Sequence, residues 1–292
     1  MKILLTGASG MLSSDVVPEL KKLGHEVIET DKKPRLENIL EMDVTDIEKI
    51  KEFAKKYQPD FIFHLAAETD VDLCERENEH AFLQNTTGTE NVALVCKELN
   101  IPLVYTSTAG VFFGDKETPY DETDEPRPAN VYGESKLQGE HKVKELLTDV
   151  FIVRPGWMVG GWDIDKKFVR KIVDQIRSGK KELRVVSDKI GSPTFTMDFA
   201  KNIMPLVETK KFGLYHITNK GTCTRHDVAT KIVEFMGLEN EITIHAISSD
   251  EFPLPAPRAD SEMMDNMNLE KLGINNMPHW EESLEKYIKS NI

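Results

Sequence analysis

The segment KILLTGASGMLSSDVVPEL, residues 2–20, sets the fold of this chain. It opens with a mostly apolar run of strand length, turns through Gly7 and Gly10, and continues with the spacing of an amphipathic helix. A strand, a glycine turn and a helix in this order begin an α/β domain, and the free N–H groups at the start of the helix can bind a pyrophosphate. We therefore predict an anion site at Gly7, Gly10, Met11 and Leu12.

Apolar runs of strand length alternate with helical patterns through the first half of the chain, with helical patterns at residues 46–56 and 91–99. Repeated strand and helix units predict a parallel sheet with helices on both faces, which is a Rossmann-type doubly wound α/β fold. The predicted strands are Lys2–Thr6, Glu26–Thr30, Ile39–Asp43 (the weakest), Phe61–Ala66, Leu103–Ser107 and Val150–Pro155.

The alternation loosens after Pro155, where glycines, a helical pattern at 166–178 and the strand-like runs LYHIT and ITIHAI follow. We assign residues 1–155 to a Rossmann domain that binds a dinucleotide. Residues 156–292 form mainly a smaller C-terminal α/β lobe that binds substrate, with later segments returning to the first domain. The three prolines of FPLPAPRAD, residues 252–260, predict an extended segment that lines a cleft.

Composition excludes several classes of protein. The formal net charge of −13 disfavours nucleic acid as a partner, so an anionic substrate must be held locally by helix N-termini and a few Lys or Arg side chains. No apolar run approaches the roughly 18 residues of a membrane span, and the N-terminus lacks a signal-peptide cleavage site. Three cysteines without a CxxC pair favour a reducing, cytoplasmic location and no metal site.

The second predicted strand carries the residues that bear on the cofactor. Asp31 lies about 20 residues after the glycines, where a carboxylate accepts hydrogen bonds from the adenosine ribose of NAD(H). Lys32 and Lys33 follow it and could neutralise the extra phosphate of NADP(H), so the choice between NAD(H) and NADP(H) stays open. Ser13 stands where a third glycine is expected, and serine is small enough to serve there.

Tyr132 and Lys136 lie four residues apart in NVYGESKLQGE, so a helix projects both side chains from one face. An adjacent ammonium favours the phenolate, and we expect Lys136 to lower the pKa of Tyr132 by roughly 1 to 3 units. Thr108 follows a predicted strand, and its hydroxyl would lie at the carboxyl edge of the sheet. Hydroxyl, phenol and ammonium together predict a group that handles protons.

The ordered motifs TGASGML, LAAETDVD, YTSTAGVF, YGESKLQGE and GSPTFTMD span nearly the whole chain. With them the chain resembles the extended short-chain dehydrogenase/reductases, and within these the dTDP-4-dehydrorhamnose reductase group. The resemblance implies NAD(P)H-dependent hydride transfer to the C4 keto carbon of a nucleotide-linked deoxysugar. In that reaction Tyr132 would donate the proton, Lys136 would lower the pKa of the phenol and hold the nicotinamide ribose, and Thr108 would hydrogen-bond the carbonyl oxygen.

The resemblance also implies binding residues. Asp43 and Val44 would lie near the adenine, and Val71 and Trp157 would touch the sugar. Arg258, in the proline-rich segment, is our candidate for binding the substrate diphosphate, because a guanidinium suits that group. Further cofactor contacts implied by the resemblance are Ala66, Ala67, Thr69 and Tyr132.

Two positions depart from the reductase group, which usually has an acidic residue and then a tyrosine after the catalytic hydroxyl. Ala109 and Gly110 stand there in this chain, which opens the sugar pocket and admits a larger or differently substituted sugar. Ala109 also disfavours a 4,6-dehydratase, which needs an acid at this position. A 4-epimerase, a non-catalytic NAD(P)-binding regulatory subunit, the oligomeric state (including a homodimer) and the use of Mg²⁺ stay open.

Overall fold

The computed structural model describes residues 1–292. A seven-stranded sheet lies at its centre, and every pair of neighbouring strands in it is parallel. Its spatial order is β3-β2-β1-β4-β5-β6-β11, which is the doubly wound order with one strand added beyond β6. These strands are β1 (Lys2–Thr6), β2 (Glu26–Asp31), β3 (Leu40–Glu41), β4 (Phe61–His64), β5 (Leu103–Thr106), β6 (Val150–Pro155) and β11 (Gly213–Ile217).

Helices cover both faces of the sheet, as predicted. One apolar core joins the sheet to α1, α8 and α10, and a second joins the opposite face to α2, α5 and α6. Those helices are α1 (Ser13–Lys22), α2 (Ile47–Tyr57), α5 (Gly88–Leu99), α6 (Val131–Leu146), α8 (Thr196–Glu208) and α10 (Met267–Lys271). The short helices α3 (Val71–Arg76) and α4 (Asn78–Phe82) and a π-helical turn (Leu83–Thr87) precede α5.

A third apolar core lies in the C-terminal lobe and packs three helices against small strand pairs. None of the helices in the structure combines the length and the apolar character needed to cross a membrane. The elements of the lobe are α7 (Phe168–Arg177), α9 (Arg225–Phe235), α11 (Trp280–Asn291), β7 (Trp157–Val159), β8 (Glu182–Val186), β9 (Ile190–Gly191), β10 (Pro193–Phe195), β12 (Cys223–Thr224), β13 (Thr243–Ile247) and β14 (Ser261–Glu262).

Predicted and observed elements differ mainly at their ends. The strands beginning at Phe61 and Leu103 end at His64 and Thr106, one or two residues early, because the chain leaves the sheet there to form loops. The weak strand at 39–43 shrinks to Leu40–Glu41 at the sheet edge. The LYHIT run forms part of β11, which pairs with β6 and so extends the central sheet after the chain has passed through the lobe.

Candidate active site

The loops that follow β1, β4, β5 and β6 meet at the carboxyl edge of the central sheet. Parallel strands all end at this edge, which is where ligands bind in open α/β sheets. Gly7 in the first loop has a φ of 79°, and a Cβ built on it would lie 2.7 Å from the Ala66 backbone N in the second. Only glycine therefore fits the turn, for conformational and for steric reasons.

Ser13 takes the place of the third glycine with a specific hydrogen bond. Its side chain is buried, and its Oγ donates to the Gly7 carbonyl at 2.7 Å, which ties the start of α1 to the turn. The backbone N–H groups of Met11, Leu12 and Ser13 donate to no protein acceptor. A tight turn followed by free amides at a helix N-terminus fits the pyrophosphate of a dinucleotide.

Asp31 at the end of β2 faces the same turn. Its carboxylate accepts hydrogen bonds from the backbone N of Ser9 at 3.0 Å and of Lys33 at 2.8 Å. Lys32 forms an ion pair with Asp43, with 2.9 Å between Nζ and Oδ2. Partial burial acts to raise the pKa of Asp43, but the hydrogen bonds from Thr45 and Lys32 outweigh it and lower the pKa below its usual value.

The remaining predicted cofactor residues lie along the loop after β4 and beside it. Ala66 donates its backbone N–H to the Thr6 hydroxyl at 3.3 Å, and buried Val44 packs against Gly88 of α5. Ala67 and Thr69 follow Ala66 in the loop, and Thr69 is exposed. These placements are compatible with cofactor contacts, which stay a prediction.

Asn85 holds the loop after β4 in place, a role that the sequence did not predict. Its buried side-chain amide accepts from the Glu68 N at 2.8 Å and donates to the Glu68 O and to Ser135 Oγ, both at 3.0 Å. The loop is thereby attached to α6. Asn85 lies in the π-helical turn, a distortion that is frequent at functional sites. In the sequence, Asn85 opens the stretch NTTGTENVA, residues 85–93, and no spacing or composition there indicates this role.

Thr108 and Tyr132 come together at the centre of the edge. Thr108 follows β5, and its Oγ1 accepts from the Gly110 N at 3.1 Å. A Cβ built on Gly110 would lie 3.4 Å from Thr108 Oγ1 and 3.5 Å from Tyr132 Cε1, so the two side chains are neighbours. Tyr132 is the second residue of α6, which begins after the capping residue Asn130. Lys136 lies one turn further along and is buried, with its Nζ 4.4 Å from the centre of the Tyr105 ring.

The expected lowering of the Tyr132 pKa by Lys136 is wrong. Burial raises the pKa of Tyr132 to about 12, and it outweighs the hydroxyl of Thr108, which acts to lower the pKa. Burial also lowers the pKa of Lys136 itself to about 7, opposed by the charge of Glu140. The spacing of two residues on a helix does not reveal how far both are buried, and burial decides the sign here.

Glu140 and Arg154 form a buried ion pair behind these residues. Arg154 donates from Nε and Nη2 to the two carboxylate oxygens of Glu140, each at 2.7 Å, and Ser107 Oγ donates to Oε1 at 2.6 Å. Burial opposes ionisation of Glu140, yet the contacts with Arg154 outweigh it and lower the pKa. The pair joins α6 to β6 and to the residue before Thr108; the spacing of Glu140 four residues after Lys136 was its only sequence signal.

Trp157 is the first residue of β7 and packs against the apolar core of the lobe. Its Nε1 donates to Glu262 Oε2 at 2.5 Å, and a Cβ built on Gly191 would lie 2.5 Å from its Cε2. The guanidinium of Arg225 lies over the ring, with Cζ 3.7 Å from its centre. The half-buried tryptophan is held firmly in place, and its contact with a sugar stays a prediction.

Arg258 already has partners within the chain. It donates from Nη1 to the Ala256 O at 2.7 Å and from Nη2 to Asp72 Oδ1 at 2.8 Å. Asp72 follows Val71 at the start of α3, so this ion pair joins the proline-rich segment to the Rossmann domain beside half-buried Val71. Part of the Arg258 guanidinium is committed to Asp72, and its role toward a diphosphate stays a prediction. That the proline-rich segment lines a cleft also stays a prediction.

Comparisons with known proteins agree with this geometry. The model of the family described as RmlD substrate binding domain matches residues 1–292. The chain is 35% identical to the spore coat polysaccharide biosynthesis protein SpsK of Bacillus subtilis, over 99% of this chain and 97% of that protein. It is 31% identical to a dTDP-4-dehydrorhamnose reductase of Mycolicibacterium smegmatis, over 97% of this chain and 84% of that protein.

A solved structure shares both fold and sequence with this chain. The dTDP-4-dehydrorhamnose reductase of Bacillus anthracis, crystallised in complex with NADP, superposes with a TM-score of 0.92 at 34% identity. The alignment covers 99% of each chain. The similarity therefore includes the lobe as well as the central sheet.

Proposed function

Because the chain belongs to the RmlD substrate-binding-domain family over its whole length, we propose that it reduces a 4-keto nucleotide sugar with NAD(P)H, as a dTDP-4-dehydrorhamnose reductase does. One observation carries the proposal beyond likeness. Thr108, Tyr132 and Lys136 converge at the carboxyl edge of the sheet, beside a glycine turn with free amides. A proton donor, a hydrogen-bonding hydroxyl and an ammonium are the groups that carbonyl reduction needs.

NAD(P)H, when bound, supplies a hydride for the C4 carbon of the sugar. The carbonyl oxygen then becomes an alkoxide, and Tyr132 gives it the phenolic proton. Thr108 bonds with the same oxygen and stabilises the charge that develops there. The phenolate left on Tyr132 is neutralised by a proton from solvent, so the products are the 4-hydroxy sugar and the oxidised dinucleotide.

The protonation state of Tyr132 favours reduction. Because burial raises its pKa to about 12, the phenol is protonated at neutral pH and can donate. The pKa of Lys136 is about 7, so its side-chain amine is partly protonated at neutral pH. A cation near the phenol stabilises the phenolate as the proton leaves, which gives Lys136 its function in the reaction.

The end of β2 favours NADP(H) over NAD(H). Both carboxylate oxygens of Asp31 accept backbone N–H groups, so this side chain supports the loop that follows it. Lys33 and Arg35 in that loop are exposed, and their side chains make neither a hydrogen bond nor an ion pair. Two free cations beside the adenosine ribose position suit a 2′-phosphate.

Gly110 is buried beside Thr108 and Tyr132, and we propose that the substrate pocket is wider here than in enzymes with a larger residue at this position. A Cβ built on this residue would touch Thr108 Oγ1 at 3.4 Å and Tyr132 Cε1 at 3.5 Å, so a larger side chain would extend beside the reacting carbonyl. Its absence leaves room for a substituent on the sugar ring. We therefore expect the preferred substrates to include a dTDP-linked 4-keto-6-deoxysugar that is bulkier than the rhamnose precursor.

The test is oxidation of NADPH with a panel of dTDP-linked 4-keto sugars, comparing the wild type with Tyr132→Phe. Loss of the proton donor should lower kcat by roughly 10²- to 10⁴-fold. The variant should still bind NADP⁺, because phenylalanine keeps the aromatic ring, and a fluorescence titration of NADP⁺ binding shows that it is folded. Equal rates for both proteins, or no turnover with any sugar, would contradict the proposed function.

A further inference from the structure

The segment that leads into β14 joins the C-terminal lobe to the Rossmann domain, and we call its residues 256–260 the strap. On the lobe side the strap continues into β14, which pairs with β9. Lys189, directly before β9, donates to the Arg258 O at 3.2 Å and forms an ion pair with Asp260. The strap is therefore a fixed part of the lobe, and its contacts with the other domain hold the lobe in place.

Helix α3 provides the first of these contacts. Asp72 accepts from the Ala256 N at 3.2 Å and from Arg258 Nη2 at 2.8 Å, and Ala256 is buried. Glu75, further along α3, accepts from the Val131 N at the start of α6 at 3.1 Å. Because residues three apart are neighbours on a helix surface, α3 holds the strap and the start of α6 side by side.

Asn130 joins the strap to α6 directly. Its Oδ1 caps the helix by accepting from the Gly133 N at 2.9 Å, and its Nδ2 donates to the Pro257 O at 2.9 Å. An amide can make both contacts because it carries an acceptor and a donor, whereas a carboxylate could only cap the helix. The two ends of one side chain thus hold the strap and the helix of Tyr132.

The loop after β5 provides a third contact. Gly114 has a φ of 95°, and a Cβ built on it would lie 2.7 Å from the backbone N of Asp260 and of Ser261. No side chain fits there, so the backbone of this loop packs directly on the strap. The same loop contains Thr108, so the strap contacts both elements that supply the proposed catalytic residues.

We propose that Asn130 is a positioning residue, which fixes the strap to α6 and so sets the position of the lobe relative to Tyr132. Its effect on the reaction rests on the proposed function, in which the lobe holds the sugar. Detaching the strap lowers the fraction of molecules with a correctly placed lobe, and the apparent affinity for the sugar falls with that fraction. Saturating sugar restores the attached state, so KM for the sugar rises while kcat changes little.

The experiment compares Asn130→Asp and Asn130→Ser with the wild type in NADPH oxidation. Both replacements keep a preferred cap for α6, but aspartate lacks the donor to Pro257 and serine is too short to make both contacts. KM for the sugar should rise by roughly 2- to 10-fold, the range that corresponds to one net hydrogen bond. The values of kcat and of KM for NADPH should stay at those of the wild type.

Asp46→Asn is the matched control. Asp46 caps α2 by accepting from the Lys49 N, so the variant makes the same exchange of amide and carboxylate at a helix cap that the strap does not contact. It should leave both KM values and kcat unchanged. Asn130→Ser keeps the test valid if the added charge of Asn130→Asp prevents folding.

Hydrogen exchange tests the attachment without turnover. The Ala256 N–H is bound by Asp72, which neither substitution of Asn130 changes. Local opening of the strap should make this amide exchange several-fold faster in both variants, while amides in the middle of α6 keep their wild-type rates.

Wild-type exchange of the Ala256 amide in both variants overturns the positioning role. In a protein that reduces the sugar, an unchanged KM for the sugar also overturns it, whether or not kcat falls, because a residue that only caps the helix would give that result. Equal increases in KM for the sugar and for NADPH overturn it as well. Faster exchange in a protein that reduces no sugar supports the attachment and overturns the proposed function.

Discussion

The guanidinium of Arg154 and the carboxylate of Glu140 meet in a bidentate ion pair that is almost fully buried, with both N···O distances at 2.7 Å. Glu140 lies one helical turn beyond Lys136, and Ser107, which also donates to it, directly precedes Thr108. One ion pair therefore fixes the helix of Tyr132 and Lys136 against the loop of Thr108. The relative placement of the three proposed catalytic groups depends on a contact that reaches none of their reacting atoms.

Removing the charge of only one partner of this ion pair should destabilise the protein. Glu140→Gln leaves the Arg154 charge buried and should lower the free energy of unfolding by about 3–5 kcal/mol. The control Glu145→Gln, at an exposed position on the same helix, should change it by less than about 0.5 kcal/mol. The double variant Glu140→Leu/Arg154→Met should recover part of the loss. Urea unfolding measures the series. A loss of stability in Glu140→Gln that is as small as in the control would contradict the prediction.

Lys136 should make stability depend on pH. Its pKa is about 7 in the folded protein, below the ordinary lysine value, so the unfolded chain binds more protons between these two values and stability rises with pH there. Lys136→Met removes the penalty and should stabilise the protein by a few kcal/mol at pH 6, with a smaller gain at pH 9, since each pKa unit corresponds to about 1.4 kcal/mol.

Urea unfolding at the two pH values measures this difference. Lys97→Met, at an exposed position on α5, is the control and should change the free energy of unfolding by the same small amount at both pH values. Lys136→Met should also lose reductase activity, which separates function from stability. A gain that is the same at pH 6 and pH 9 would show that Lys136 does not titrate in this range.

The loop after β2 should determine the choice of cofactor. Lys33→Ala/Arg35→Ala removes two unpaired charges and should lower kcat/KM for NADPH by roughly tenfold or more, because each charged hydrogen bond is worth about 1.5–3 kcal/mol. The value for NADH should stay within twofold. Lys56→Ala, at an exposed position on α2, is the control. Parallel losses for both cofactors would mean that the two side chains do not contact a 2′-phosphate.

Gly133 and Gly110, which lie close together in the structure, should respond differently to substitution by alanine. A Cβ on Gly133 would lie 2.0 Å from the Gly110 O, so Gly133→Ala should destabilise the protein by about 1–3 kcal/mol despite the better helix propensity of alanine. A Cβ on Gly110 meets only ordinary contacts, so Gly110→Ala should fold normally and raise KM for the sugar. Thermal unfolding and NADPH oxidation check both, and equal melting temperatures would refute the expected contrast.

The sequence by itself determined the features that depend on neighbouring residues. The strand, glycine turn and helix of residues 2–20 share one local geometry, and the strands β1 and β6 have the predicted bounds. Tyr132 and Lys136 lie on one helix because four residues make about one turn. The parallel, doubly wound sheet follows as well, since parallel strands joined by helices leave few topologies, but the pairing of β11 with β6 was not predicted.

Only the tertiary structure decided the charges and the partners. The pKa of Tyr132 rises where spacing predicted a fall, because burial depends on chain segments far away in the sequence. Arg258 forms an ion pair with Asp72, 186 residues away in the sequence. Arg225 lies over the Trp157 ring and forms no ion pair. Desolvation and ion pairing act between residues that folding brings together, so no local pattern could distinguish the committed arginine from the free one.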